Sequence, residues 1–222
     1  MDFITGLLSG PLYFTVWGVG GSVLVLLGCV AASIPYRGRA NERFSPFNHF
    51  ISELGELDVS RLATLFNACL VVSGGLFTVF MVGFGRYFGT FAAVLAAAAG
   101  VYASLACSMV GLFPMNRISW HMTAAMSFFY GGLAMILLFG LAAALDPQSL
   151  LPPAFVTAAA AVTLAFAAFL LAPRLEGQTF SLDPSVSVRP GIWLHPLLEW
   201  VVMLGITGWV LSVSLYLICG QI

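Results

Sequence analysis

Two of the three histidines stand four residues ahead of a glutamate, His49 before Glu53 and His195 before Glu199, and the third, His121, opens an apolar stretch. An imidazole and a carboxylate at i and i+4 share one helix face. Such groups suit three kinds of chemistry. They can bind a divalent metal such as zinc, or iron, which take mixed nitrogen and oxygen ligands. They can move protons without a metal. Each pair can also be a local hydrogen bond at a helix end, the plainer reading, because the spacing is not the H-E-x-x-H of a zinc enzyme. His49, Glu53, His121, His195 and Glu199 are therefore the candidate catalytic residues, and His49, His121, His195 and Glu199 the candidate metal ligands. Arg61, Asn67, Ser108, Asn116 and Arg117 fall at or near the same ends of the apolar stretches and are candidate ligand-binding groups. No G-x-S-x-G nucleophile elbow is present. Three histidines on one side are too few for a pair of haems.

The surroundings make such groups informative. Hydrophobic residues form 60% of the 222-residue chain and charged ones 8%, with mean hydropathy +1.02. A soluble domain is about 25% charged, so the solvent for this chain must be lipid, and ionisable groups inside it need partners or a purpose. Net charge is −1, and no nucleic-acid partner is expected. Cys29, Cys69, Cys107 and Cys219 form no C-x-x-C and read as small buried hydrophobes. Leu26-Leu27-Gly28-Cys29 resembles a lipobox, but no basic residue precedes it, so the first apolar run is expected to be a retained helix.

Six apolar runs are long enough to span a bilayer: Leu12–Ile34, Leu62–Phe84, Thr90–Phe113, Met122–Leu145, Pro153–Ala172 and Ile192–Cys219. An all-α, six-helix membrane bundle forming a single domain over residues 1–222 is expected. Small residues recur at packing spacing, among them Gly18/Gly21, Gly74/Gly75, Ala96/Gly100, Gly131/Gly132 and Ala158/Ala161. Tyr13, Trp17, Tyr36, Tyr87, Trp120 and Trp193 read as interface markers. The connections 85–89 and 146–152 are short and share one face, while 35–61, 114–121 and 173–191 share the other. All basic residues are arginine. Seven of the eight (Arg37, Arg39, Arg43, Arg61, Arg117, Arg174 and Arg189) lie on the long-loop face, and only Arg86 lies opposite. The positive-inside rule then places the long loops in the cytoplasm and both termini outside a cell membrane.

Within the first long loop, Ser45 suits an N-cap, Pro46 a first helical residue and Gly55 a stop. This predicts a short amphipathic interfacial helix near Pro46–Leu54, with Phe47, Phe50, Ile51 and Leu54 on its apolar face and His49 touching Glu53. Glu199, one turn into the last span, requires a partner. His195, His121 or an arginine of the long-loop face would serve. If the bundle closes, His49 or Glu53, His121, His195 or Glu199, and Asn67 or Ser108 should converge on one pocket.

Phe50-Ile51-Ser52-Glu53-Leu54-Gly55, Phe113-Pro114, and His121-Met122-Thr123-Ala124-Ala125-Met126-Ser127-Phe128-Phe129 carry a family resemblance. The chain resembles the bacterial and archaeal DUF998 membrane proteins, distantly similar to the Frag1/DRAM/Sfk1 group. The sixth span departs from the Glu-Arg common near its start in that family, with His195-Pro196-Leu197-Leu198-Glu199-Trp200 here. The resemblance implies a multi-pass membrane protein, and its eukaryotic relatives, linked to lipid and GPI-anchor handling, imply a lipid ligand. The leading expectation is a protein that binds or remodels a lipid or other amphiphile at a His/Glu/Arg-lined pocket on the long-loop face. The alternatives are a metal-dependent hydrolase or transferase acting on lipid head groups, and a transporter or structural partner subunit. Expected partners are membrane lipids, with a second copy of the chain or another membrane protein left open.

Overall fold

The computed structural model describes residues 10–145, 151–175 and 189–220. The Arg174 side chain, most of the 146–152 connection and most of the 173–191 connection lie outside the described residues. Among the described residues six α-helices follow one another: α1 Leu12–Ser33, α2 Ala63–Phe88, α3 Phe91–Leu112, α4 Ile118–Leu145, α5 Pro153–Leu175 and α6 Leu194–Cys219. Two short 3₁₀ helices, Ile51–Gly55 and Met115–Arg117, sit in the long-loop connections. There is no strand among the described residues. All six α-helices are long and apolar enough to cross a membrane. This is an all-helical, multi-pass membrane protein.

The expected helix ends shift by a few residues, for local reasons. The second helix runs past Phe84 to Phe88, where Gly89 takes a left-handed conformation (φ 64°) and ends it. Thr90 then caps α3, its hydroxyl accepting from the Ala93 N–H at 3.2 Å. A two-residue turn thus joins α2 to α3. The fourth helix starts at Ile118 rather than Met122, so His121 lies within its first turn.

Each helix packs against its neighbours in sequence, and α6 returns to pack against α1. The six form a closed ring. The outward faces stay apolar, with Leu27, Val30, Leu105 and Leu164 among the exposed side chains, because lipid rather than water is the neighbour there. The ring's interior is packed with aromatic side chains, including Phe14, Phe80, Phe84, Phe129, Phe139, Phe166, Phe169 and Trp209. Phe84 meets Phe139 edge-on at 4.6 Å between ring centroids. Small residues permit close crossings elsewhere. A Cβ on Gly74 would strike the Ser104 carbonyl at 2.5 Å, and beside it the Ser108 hydroxyl donates to the Val71 carbonyl at 2.9 Å. Of the cysteines, Cys29, Cys69 and Cys107 are buried and Cys219 is exposed, contrary to expectation.

Candidate functional site

The long-loop end of the ring is closed by residues 44–56, and their fold differs from a single surface helix. A turn holds 45–49, with the His49 N–H donating to the Ser45 carbonyl at 2.9 Å. Phe50 is then extended (ψ 149°), and a 3₁₀ helix covers Ile51–Gly55. Phe50, Ile51 and Leu54 are buried as expected, whereas Phe47 is exposed. The reason for the break is Glu53. Its carboxylate folds back to accept from the Phe50 N–H at 2.9 Å, which a continuous α-helix would assign to residue 46. Gly55 ends the element, and Asn67 donates to its carbonyl at 2.9 Å. A Cβ on Gly55 would collide with the Asn67 amide oxygen.

Glu53 is buried inside a complete set of donors. Arg189 grips both oxygens, at 2.9 and 2.8 Å, and the Tyr36 hydroxyl adds a bond at 3.3 Å. Arg189 also donates to the Asn48 carbonyl, and Asn48 donates to the Pro190 carbonyl. Further bonds tie the same two segments: the Trp193 N–H donates to the Phe47 carbonyl and the Trp200 indole to the His49 carbonyl. Burial, and then the Glu53 charge, push the Tyr36 phenol up from its ordinary value, so it remains a donor. Tyr36 is thus an interior group rather than an interface marker. Beside this clasp, Glu56 is buried in an ion pair with Arg39.

His49 does not turn to Glu53. Its Nδ1 donates to the Asn48 amide oxygen at 2.7 Å, its Nε2 lies 3.8 Å from Glu42, and its ring packs edge-on to Tyr36. Burial lowers its proton affinity, against the opposing pull of Glu53 and Glu42. A histidine held neutral in the fold takes up its proton first in the unfolded chain, so stability falls as pH drops below about 6.5. Melting curves in detergent between pH 7.5 and 5.5 should slope downward with acid. His49→Gln should flatten that slope, and an unchanged slope would assign the effect elsewhere.

Below the clasp, the ring surrounds a half-open cavity of about 120 Å³. Its walls are chiefly aliphatic and aromatic side chains of α1, α2, α3, α4 and α6, such as Val25, Phe66, Met135 and Met203. Three polar residues reach it from the long-loop end: Ser52 in the 3₁₀ helix, His121 in the first turn of α4 and Glu199 in α6. The His121 Nδ1–H donates to the Phe113 carbonyl at 2.8 Å. A carbonyl only accepts, so the neutral ring presents a lone pair at Nε2. That Nε2 and the Ser52 hydroxyl are buried without a hydrogen-bond partner. The position of Glu199 suggested a histidine or arginine partner, but none holds it among the described residues. Its carboxylate accepts from the Ile51 backbone N–H at 2.6 Å, which pins the 3₁₀ helix to α6.

The structure therefore brings His121 and Glu199 together at one cavity and leaves the other candidates outside it. His195 packs between Phe50 and Phe169, at ring distances of 6.0 and 5.1 Å. Asn67 and Ser108 bond backbone carbonyls, and Asn116 bridges to both backbone groups of Leu57 at 2.8 and 3.0 Å. Arg61 and Arg117 are exposed. Among the described residues no three His, Cys, Asp or Glu side chains are grouped as a metal site, so His49, His121, His195 and Glu199 do not form one. They are separated because each imidazole is turned to a different local neighbour. Ser52 and Arg189 were not among the residues singled out. The first sits inside the Phe50–Gly55 motif, and the second was visible only as a loop charge.

The family model described as a protein of unknown function, DUF998, matches residues 19–216, from within α1 to near the end of α6. The chain belongs to the DUF998 family. No curated protein matches this DUF998 chain, and no solved structure does. The matched stretch of the DUF998 protein contains the clasp, the 3₁₀ helix and every cavity-lining residue.

Proposed function

We propose that this DUF998 protein binds an amphiphile, with the apolar chain in the ring's interior and the polar end at Ser52, His121 and Glu199. One observation supports the reading: a half-open apolar cavity with its unpartnered polar atoms at one end. The other hydroxyls lining it are satisfied within their own helices, Ser104 by the Gly100 carbonyl and Thr207 by the Met203 sulfur. Apolar cavities of on the order of 150 Å³ stay dry and accept hydrocarbon guests. Replacing Ala125, on the α4 wall, by phenylalanine should fill the space. Amphiphile co-extracted with the purified protein, measured by mass spectrometry, should drop to background while the variant still elutes as a folded monodisperse species. Val110→Phe, from the α3 wall, provides an independent filler. Full loading in both variants would refute the cavity as the binding place.

We further propose that the protein lies in the cell membrane with the clasp in the cytoplasm and both termini outside, from the distribution of arginines. Three of the four cysteines are buried, which leaves Cys219 as a natural probe. An impermeant maleimide should label Cys219 on intact cells. In a Cys219→Ser background, Ala40→Cys should react only after lysis. The opposite pattern would invert the orientation.

A further inference from the structure

We propose that the polar end of the cavity selects a hydroxyl-bearing, uncharged amphiphile such as a long-chain alcohol. The inference rests on the amphiphile reading above and names the head group. Three observations carry it. The Nε2 of His121 offers a lone pair, because Nδ1–H is already committed to Phe113 at 2.8 Å. The Ser52 hydroxyl, 7% exposed, has no partner, and neither has that Nε2 on a residue 2% exposed. Among the described residues no arginine lines the cavity, whereas the Glu199 carboxyl does. A phosphate or carboxylate head would therefore meet a carboxyl and a lone pair with no cation to offset them. A hydroxyl both donates and accepts. It can give its proton to the imidazole lone pair and receive the serine proton, which satisfies both buried atoms at once. Two described arginines of this face are engaged elsewhere, Arg189 with Glu53 at 2.8 Å and Arg39 with Glu56.

The test uses the full chain in lipid nanodiscs and a dodecanol carrying a diazirine in its tail. Photolabelling is competed with dodecanol, dodecanoate and dodecylamine, and repeated with Ser52→Ala and His121→Phe. Partitioning into the disc is common to parent and variants, so the ratio of competition midpoints reports the site. Dodecanol should compete best. Its midpoint should rise about threefold to tenfold in each variant, the worth of one hydrogen bond. Ser52→Ala alters no other bond and keeps the test valid if His121→Phe misfolds. Equal competition by all three head groups would overturn the hydroxyl assignment and leave the cavity reading standing. Tighter dodecylamine would overturn it in favour of a cation held by Glu199. Selectivity for dodecanol that neither variant alters would also overturn it. If no dodecyl probe labels the cavity walls, the amphiphile reading itself falls.

Discussion

Replacing Arg189 by alanine should destabilise the protein by about 3–5 kcal/mol, the usual consequence of stranding one member of a buried ion pair. The Glu53 side chain is 1% exposed and that of Arg189 14%, so water cannot readily take the arginine's place. Both carboxylate oxygens lose their strongest donors, and the Asn48 carbonyl loses another. For a chain of this length the melting temperature should fall by about 10 °C. Arg189→Lys retains the charge but not the two-pronged geometry, and should fall between parent and alanine variant. Glu53→Gln combined with Arg189→Ala should melt higher than Arg189→Ala alone, because the stranded charge is gone. A melting temperature for Arg189→Ala equal to the parent's would mean that the clasp does not hold the two segments together.

Replacing Ile51 by aspartate should be comparably damaging, by about 3–5 kcal/mol for an uncompensated buried charge. Ile51 is 8% exposed, lines the cavity, and gives its backbone N–H to Glu199. The new carboxylate would enter an apolar wall beside an existing one. Ile51→Asn is close in shape and carries no charge, so it should cost less. Glu199→Gln keeps an oxygen for the Ile51 N–H and removes the repulsion. Combined with Ile51→Asp, it should recover about 1 kcal/mol, in the usual range for directly coupled neighbours. If Ile51→Asp melts with the parent, residues 51–55 form a loose loop rather than the floor of the cavity.

The fold was legible because lipid imposes a single long-range rule, a continuous apolar run for each crossing. The helix-stopping role of Gly55 and the burial of Phe50, Ile51 and Leu54 were legible for a similar reason, since residue type alone expresses them. The site was legible only in part. Glu199 visibly needed a partner, but the partner is a backbone N–H, and every residue except proline carries one. The spacing of His49 and Glu53 suggested contact on one helical turn. Glu53 instead meets Arg189, 136 residues away, and no local pattern records a pairing across that distance. His121 uses a carbonyl eight residues upstream, a bond that depends on where the 3₁₀ helix at Met115–Arg117 turns the chain. The apolar cavity was hidden because its lining residues are the same types that face lipid.

The span between Glu53 and Arg189 also sets an order of events during synthesis. At about 5–20 residues per second, the arginine emerges on the order of ten seconds after the glutamate. Throughout that interval residues 44–56 lack Arg189, Trp193 and Glu199 as partners. The floor of the ring is consequently the last part to settle, and it settles only when the final helix inserts beside the first. A chain interrupted before that helix retains an uncovered glutamate and an open seam on α1, features that membrane proteases and insertion chaperones can distinguish from the finished molecule.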